Sequence, residues 1–110
     1  MINTKDEVIK YFNSGFKENK NFKIGIEHEK FLFDNKNNRR IDYFKVKEMF
    51  SALIEFGWNP IFEKDNIIGL NKSGKNITLE PGNQIELSGD KLNNIHEGCA
   101  ESQNYLFELR

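Results

Sequence analysis

A chain of 110 residues has room for one domain with a modest core. Sixteen basic side chains stand against 17 acidic ones, well mixed, for a net charge of −1, which excludes the basic stripe of a nucleic-acid-binding domain. No apolar run approaches the roughly 18 residues of a membrane span, the one cysteine, Cys99, has no intrachain partner, and no signal-peptide pattern opens the chain. Together these features give the expectation of a cytoplasmic protein whose partners are neither nucleic acid nor membrane.

In chain order, Thr4 and Glu7 form a capping box that starts a helix. Val8, Ile9, Phe12 and Phe16 fall on one face of it, and Gly15 marks a stop. Residues 21–33 switch to period two, with Phe22, Ile24 and Ile26 on one side and Gly25, Glu27 and Glu29 on the other. Residues 34–40 read as a polar turn, in which Arg39 and Arg40 are solvated. Asp42 caps a second helix whose stripe is Val46, Met49, Phe50, Leu53 and Ile54, with Gly57 at its C-terminal cap and Pro60 just beyond. Short strands follow over residues 58–63, 67–71, 77–80 and 83–87, with turns at 72–75 and at Pro81-Gly82. A last helix starts near Lys91 or Asn94, with Leu92, Ile95, Cys99, Leu106 and Leu109 on its buried side. Nothing signals a helix end before Arg110, which reads as a cut.

The strands after the second helix are too closely spaced for crossover helices, so they pair antiparallel. The expected fold is α+β, an antiparallel or mixed sheet backed by helices, in a single domain spanning 1–110. Gly69 to Asn76 imitates a phosphate-binding loop, but Asn76 stands where a Ser or Thr hydroxyl is needed. The following residues are also strand-like rather than helical, so a hairpin turn is the better reading.

Carboxylates are where chemistry enters. Strand parity sets Glu27 and Glu29 on one face, away from the apolar side chains. Gln84 and Glu86 share a face likewise, and Glu80 joins them if Pro81-Gly82 keeps the phase. Clustered like charges call for a positive partner, and an oxygen-only set suits a hard cation such as Mg2+ or Mn2+. His28 has the parity of the apolar side chains and is expected to be packed. His96 reads as a capping or packing residue, Trp58 as core, and Cys99 as a small buried hydrophobe. No nucleophile or general base stands out.

Several blocks carry a resemblance: residues 24–31 (IGIEHEKF), Gly57-Trp58, Gly69-Leu70, and residues 77–89 (ITLEPGNQIELSG). His96, Cys99, Ala100 and Glu101 follow in order. This run, over residues 22–106, resembles the glutamate–cysteine ligase family of the plant and proteobacterial type. One departure is visible, because Asn83 stands where the family has a second glycine after the proline. The resemblance implies a glutamine synthetase-like carboxylate–amine ligase fold, of which this chain is the N-terminal part of a larger catalytic domain. It implies ATP- and Mg2+-dependent joining of the γ-carboxylate of glutamate to cysteine through a γ-glutamyl phosphate, the first step of glutathione biosynthesis. It also implies Glu27, Glu29, Glu80 and Glu86 as metal and phosphate ligands and Gln84 as a substrate contact. Two other functions stay open: a related ligase with another acceptor amine, and a non-catalytic binding module that keeps the fold.

Overall fold

The structure, a computed structural model, describes residues 2–110. Helix α1 (Lys5–Ser14) opens on the expected capping box, with Thr4 accepting from the Glu7 amide and Glu7 accepting from the Thr4 amide. A single 3-10 turn at Asn19–Asn21 leads to strand β1 (Glu27–Phe31). Helix α2 (Tyr43–Leu53) starts at Asp42, whose side chain accepts from the Lys45 amide, and tightens into a 3-10 turn that ends at left-handed Gly57. Strands β2 (Asn59–Glu63), β3 (Asn66–Lys72), β4 (Lys75–Glu80) and β5 (Gln84–Ser88) follow. Helix α3 (Ile95–Glu108) begins at Asn94, whose side chain caps the amides of His96 and Glu97.

All five strands lie in one antiparallel sheet of order β1-β5-β4-β3-β2. Adjacent hairpins build β2 to β5, and β5 returns across the sheet to pair with β1. Ser73 and Gly74 both take positive φ at the β3–β4 turn, so the phosphate-loop imitation is a hairpin. Period two predicts a longer first strand, over residues 21–33. The ladder covers only Glu27–Phe31, with isolated bridges from Ile24 to Leu92 and from Phe33 to Arg40 on either side.

The core lies between one sheet face and helices α2 and α3. Val46, Phe50 and Leu53 of α2 pack with Ile67, Leu70, Ile77, Ile85 and Leu87 of the sheet, with Trp58 and with Tyr105 of α3. Trp58 is buried, and its indole N–H donates to Glu108, which also pairs with Lys72.

Two expectations about helix faces are corrected. α1 has no buried residue; Phe12 is 68% and Phe16 81% exposed, and the helix stands off the sheet. The radius of gyration is accordingly 17.7 Å, against roughly 13–14 Å for a compact chain of this length. On α3 the buried positions are Gly98, Glu101 and Tyr105. Ile95, Cys99 and Leu106 are exposed instead, so Cys99 is not a buried hydrophobe. The hydrophobic stripe misdirects here because the inward face uses a glycine and a carboxylate. Gly98 lies against Ile26, whose Cδ1 would sit 2.4 Å from a Cβ at that position.

Candidate active site

The face of the sheet turned away from the helices is polar, and antiparallel register orders it in rows. Directly opposed residues share a face. One row is Glu27, Ser88 and Asn76, the next is Glu29, Glu86, Thr78 and Gly69, and the third is Phe31, Gln84 and Glu80. The sheet therefore brings all five predicted residues, Glu27, Glu29, Glu80, Gln84 and Glu86, onto one surface. Glu80 faces Gln84 directly, so the Pro81-Gly82 turn keeps the phase. Asn83 takes a φ of 57° there, in the left-handed region that asparagine tolerates, and its side-chain amide donates to the Ile41 carbonyl at 3.0 Å.

Glu29 stands opposite Glu86 across the β1–β5 ladder. Opposed like charges destabilise a sheet by up to about 1 kcal/mol. Among the described residues neither is in an ion pair. Neutral donors hold the carboxylates instead. The Gln84 amide donates to Glu29 at 3.1 Å, the Ser88 hydroxyl to Glu86 at 3.1 Å, and the Thr78 hydroxyl to Glu80 at 2.8 Å. Gln84 thus orients a carboxylate. Thr78 and Ser88, which the sequence reading did not single out, share the parity of the glutamates, and that was the available signal.

Among the described residues no three carboxylate, imidazole or thiol groups come together closely enough to hold a metal unaided. A metal ion held on this face would therefore take one or two carboxylates and complete its shell with water and substrate phosphates, as Mg2+ does. The all-oxygen donor set fits such an ion.

At one end of this face the ladder opens. The Gly89 amide still donates to the Ile26 carbonyl at 2.8 Å, and Ile24 and Leu92 exchange both backbone bonds at 2.9 Å. Between these contacts the chain after β5 advances three residues while the chain before β1 advances two, a one-residue bulge. Its unpaired Asp90 amide donates to Glu101 Oε2 at 2.9 Å. Glu101, only 7% exposed, is thus the partner of the bulge, with its other oxygen unpaired. A cleft of about 250 Å³ lies here, lined by Gly25, Ile26, Glu27, Ser88 and Gly89.

The histidines divide as parity indicates. His28 is half-buried on the helix side, its ring centroid 6.4 Å from that of Tyr105, and its Nε2 has no partner. Burial raises the Tyr105 hydroxyl well above its usual range. His96 is exposed, with only its backbone in the α3 cap.

A five-stranded antiparallel sheet with helices on one face and clustered carboxylates on the other is consistent with the carboxylate–amine ligase fold. The model of the family described as Glutamate-cysteine ligase family 2 (GCS2) matches residues 23–110. The chain belongs to the glutamate–cysteine ligase family. It is 41% identical over 108 residues to glutamate–cysteine ligase A, chloroplastic, of Oryza sativa subsp. japonica, a match covering 97% of this chain and 22% of that protein. The tobacco (Nicotiana tabacum) and Arabidopsis thaliana glutamate–cysteine ligases, both chloroplastic, are 40% and 39% identical, each over 97% of this chain and 21% of their own length. The chain therefore spans about a fifth of the length of the curated relatives it matches. Their chloroplastic location overturns the expectation of a cytoplasmic protein. A single cysteine excludes an intrachain disulfide, but it does not distinguish one reducing compartment from another.

Proposed function

We propose that this chain forms one wall of the active site of an ATP- and Mg2+-dependent glutamate–cysteine ligase, with Mn2+ able to replace Mg2+. In that reaction a γ-carboxylate oxygen of glutamate attacks the γ-phosphorus of ATP and ADP leaves. The cysteine amine then attacks the acyl carbon, phosphate departs with the C–O bond, and the amine gives up a proton. The observation that carries the reading is the opposed pair Glu29 and Glu86, held by neutral donors and facing no cation of the sheet.

Phosphates beside a substrate carboxylate concentrate negative charge, and a metal ion bound at this face would offset it and align the transfer. Glu29 and Glu86 are the proposed first ligands, with Glu27 and Glu80 one row to either side. Gln84 fixes the rotamer of Glu29, and Ser88 that of Glu86, so the acceptor oxygens are set before the ligand arrives. Strand positions hold this geometry more closely than a loop does. We read the chain as the N-terminal part of a larger catalytic domain, consistent with its share of the relatives' length. Alone it is expected to form no detectable γ-glutamylcysteine.

Calorimetric titration of Mg2+ and Mn2+ into the purified chain, with and without ATP, tests the assignment. The expected result is millimolar or tighter binding that Glu86→Gln and Glu27→Gln weaken. Binding indifferent to both substitutions, or none in a chain shown to be folded, refutes a metal platform on this face.

A further inference from the structure

The carboxylate face ends at a cation. Residues 34–39 form a tight hairpin, closed by the Asp34 amide donating to the Arg39 carbonyl at 2.8 Å. The bridge beyond it pairs Arg40 with Phe33. Paired residues share a face, and Phe33 has the parity of Phe31, Glu29 and Glu27. Arg40 therefore rises on the acidic side. Its guanidinium carbon lies 4.7 Å from the centroid of the Phe31 ring, and its Nη2 donates to the Gly82 carbonyl at the β4–β5 turn. A Cβ at Gly82 would meet both Arg40 Nη atoms at 3.3 Å, so the glycine leaves room for this approach.

The other cations of the strands lie on the opposite face. Lys30 sits over the Tyr105 ring at 5.3 Å, Lys72 pairs with Glu108 of α3, and Lys75 is directly opposite Lys72. Arg40 is thus a cation that the described structure sets beside the carboxylate rows, at the end marked by Phe31. It stands over the ring of Phe31 in the third row, and Phe31 lies two residues along β1 from Glu29, a rise of roughly 7 Å. A guanidinium has five N–H donors. Gly82 occupies one, the Phe31 ring lies against the guanidinium, and Arg40 remains exposed, so donors are left to point at solvent.

We propose that Arg40 is the anion contact of this site: it takes a phosphate or carboxylate group of the ligand whose metal-bound end lies over Glu29 and Glu86. This rests on the reading of the face as a metal and phosphate platform, and it adds a residue that the motif blocks do not contain. A polyphosphate or a short dicarboxylate spans one strand row. Both present the planar or trigonal oxygens that a guanidinium pairs with in bidentate fashion.

The test uses the 110-residue chain, with Arg40→Ala and Arg40→Lys beside the unchanged protein, and thermal melts to confirm that all are folded. Each is titrated with Mg2+ alone, with ATP at saturating Mg2+, and with L-glutamate at saturating Mg2+. The expected result is unchanged affinity for Mg2+ alone and a loss of about 10-fold or more for one anion in Arg40→Ala. Arg40→Lys should fall between, keeping the charge without the planar fork. Loss confined to ATP assigns a phosphate, and loss confined to glutamate assigns a carboxylate. Equal affinity for both anions in Arg40→Ala overturns the proposal, as does equal weakening of Mg2+ alone, which would mean that Arg40 acts only through the Gly82 turn. Failure of the platform reading shows differently, as an unchanged protein that binds neither Mg2+ nor Mg2+-ATP, and it overturns both.

Discussion

Replacing Gly89 by alanine tests how the sheet is locked to α3. Gly89 is not in the left-handed region, so the cost of a side chain there comes from packing. An added Cβ would lie 2.0 Å from Glu101 Oε1, 2.9 Å from its Cδ and 2.9 Å from the Ile26 carbonyl oxygen. Neither neighbour yields easily: Ile26 contributes backbone, and Glu101 is buried with its other oxygen bound to the Asp90 amide. Moving the carboxylate away adds the strain of an overpacked site, about 1–3 kcal/mol, to a lost charged hydrogen bond worth about 1.5–3 kcal/mol. Asp90 is exposed, so water recovers part of the second contribution. The expected destabilisation is about 3 kcal/mol, read as a lower urea midpoint at unchanged slope and a fall in Tm of more than about 10 °C. Glu101→Ala removes most of the obstruction, so adding Gly89→Ala to it should cost far less than in the parent chain. A Gly89→Ala cost below about 1 kcal/mol, or additive effects of the two substitutions, would refute this account of the bulge.

Three further outcomes are expected. Phe12→Asp combined with Phe16→Asp should change unfolding free energy by no more than about 0.5 kcal/mol, because both side chains are exposed, Phe12 on α1 and Phe16 just beyond it; a larger loss in urea unfolding contradicts a helix standing off the body. Trp58→Phe should cost about 2 kcal/mol by the same measurement, since the indole N–H bonds Glu108 at 2.7 Å inside the core. Acid should loosen the starts of α1 and α3 first. The Glu7 carboxyl is held below its ordinary 4.5 by the Asn3 amide and then the Thr4 amide, and the Glu97 carboxyl by the Asn93 amide and then the Asn93 side chain. A carboxyl lowered in the folded state stabilises above its unfolded value, and that contribution is lost as pH falls from 4.5 through the lowered one. Protection factors at residues 4–8 and 94–98, with the intrinsic slowing of amide exchange in acid divided out, should therefore fall below pH 4.5 ahead of those in the sheet, and a uniform fall would contradict it.

What could be read in advance followed from local rules. Caps at Thr4 and Asp42 are side-chain chemistry within three residues, and both helix starts agree, while the start left open between Lys91 and Asn94 falls at Asn94. Strand parity depends only on counting, so Glu27, Glu29 and Glu86 fell on a common face once the pairing was antiparallel. The faces of α1 and α3 were harder. An apolar stripe identifies a surface that gains by leaving water, and it does not identify what that surface packs against. Val8, Ile9, Phe12 and Phe16 form a sound stripe with nothing under it in the described structure. α3 turns inward through Gly98 and Glu101, two residues with no hydrophobic signal, because a bulge near Gly89 needs an acceptor. Arg40 reads from the sequence as part of a solvated turn rather than as a phosphate clamp, since its face depends on the hairpin over residues 34–39.

The polar face itself breaks a local rule of sheet construction. Opposed pairs in a stable sheet are apolar, hydroxyl-bearing or of opposite charge, yet Glu29 faces Glu86. Glu27 and Glu80 extend the negative surface by a row on each side. The fold gains nothing from this arrangement, because its core lies entirely on the other face. Gln84, Thr78 and Ser88 reduce the cost by donating hydrogen bonds, but they leave the charge in place. A site built for a cation and polyphosphate needs that combination, with charge kept, carboxylates oriented and, among the described residues, no cation paired to Glu29 or Glu86. Exceptions to local consistency gather at functional sites, and this one, unlike Lys72 opposite Lys75 with Glu108 beside them, has no ion-pair partner among the described residues and falls within residues 24–31 and 77–89. Removing the charge at one member should therefore stabilise the isolated sheet slightly while weakening metal binding. The Glu86→Gln chain used for calorimetry would show that opposition of effects in a single urea titration, and a destabilised Glu86→Gln would mean that the carboxylate serves the fold instead.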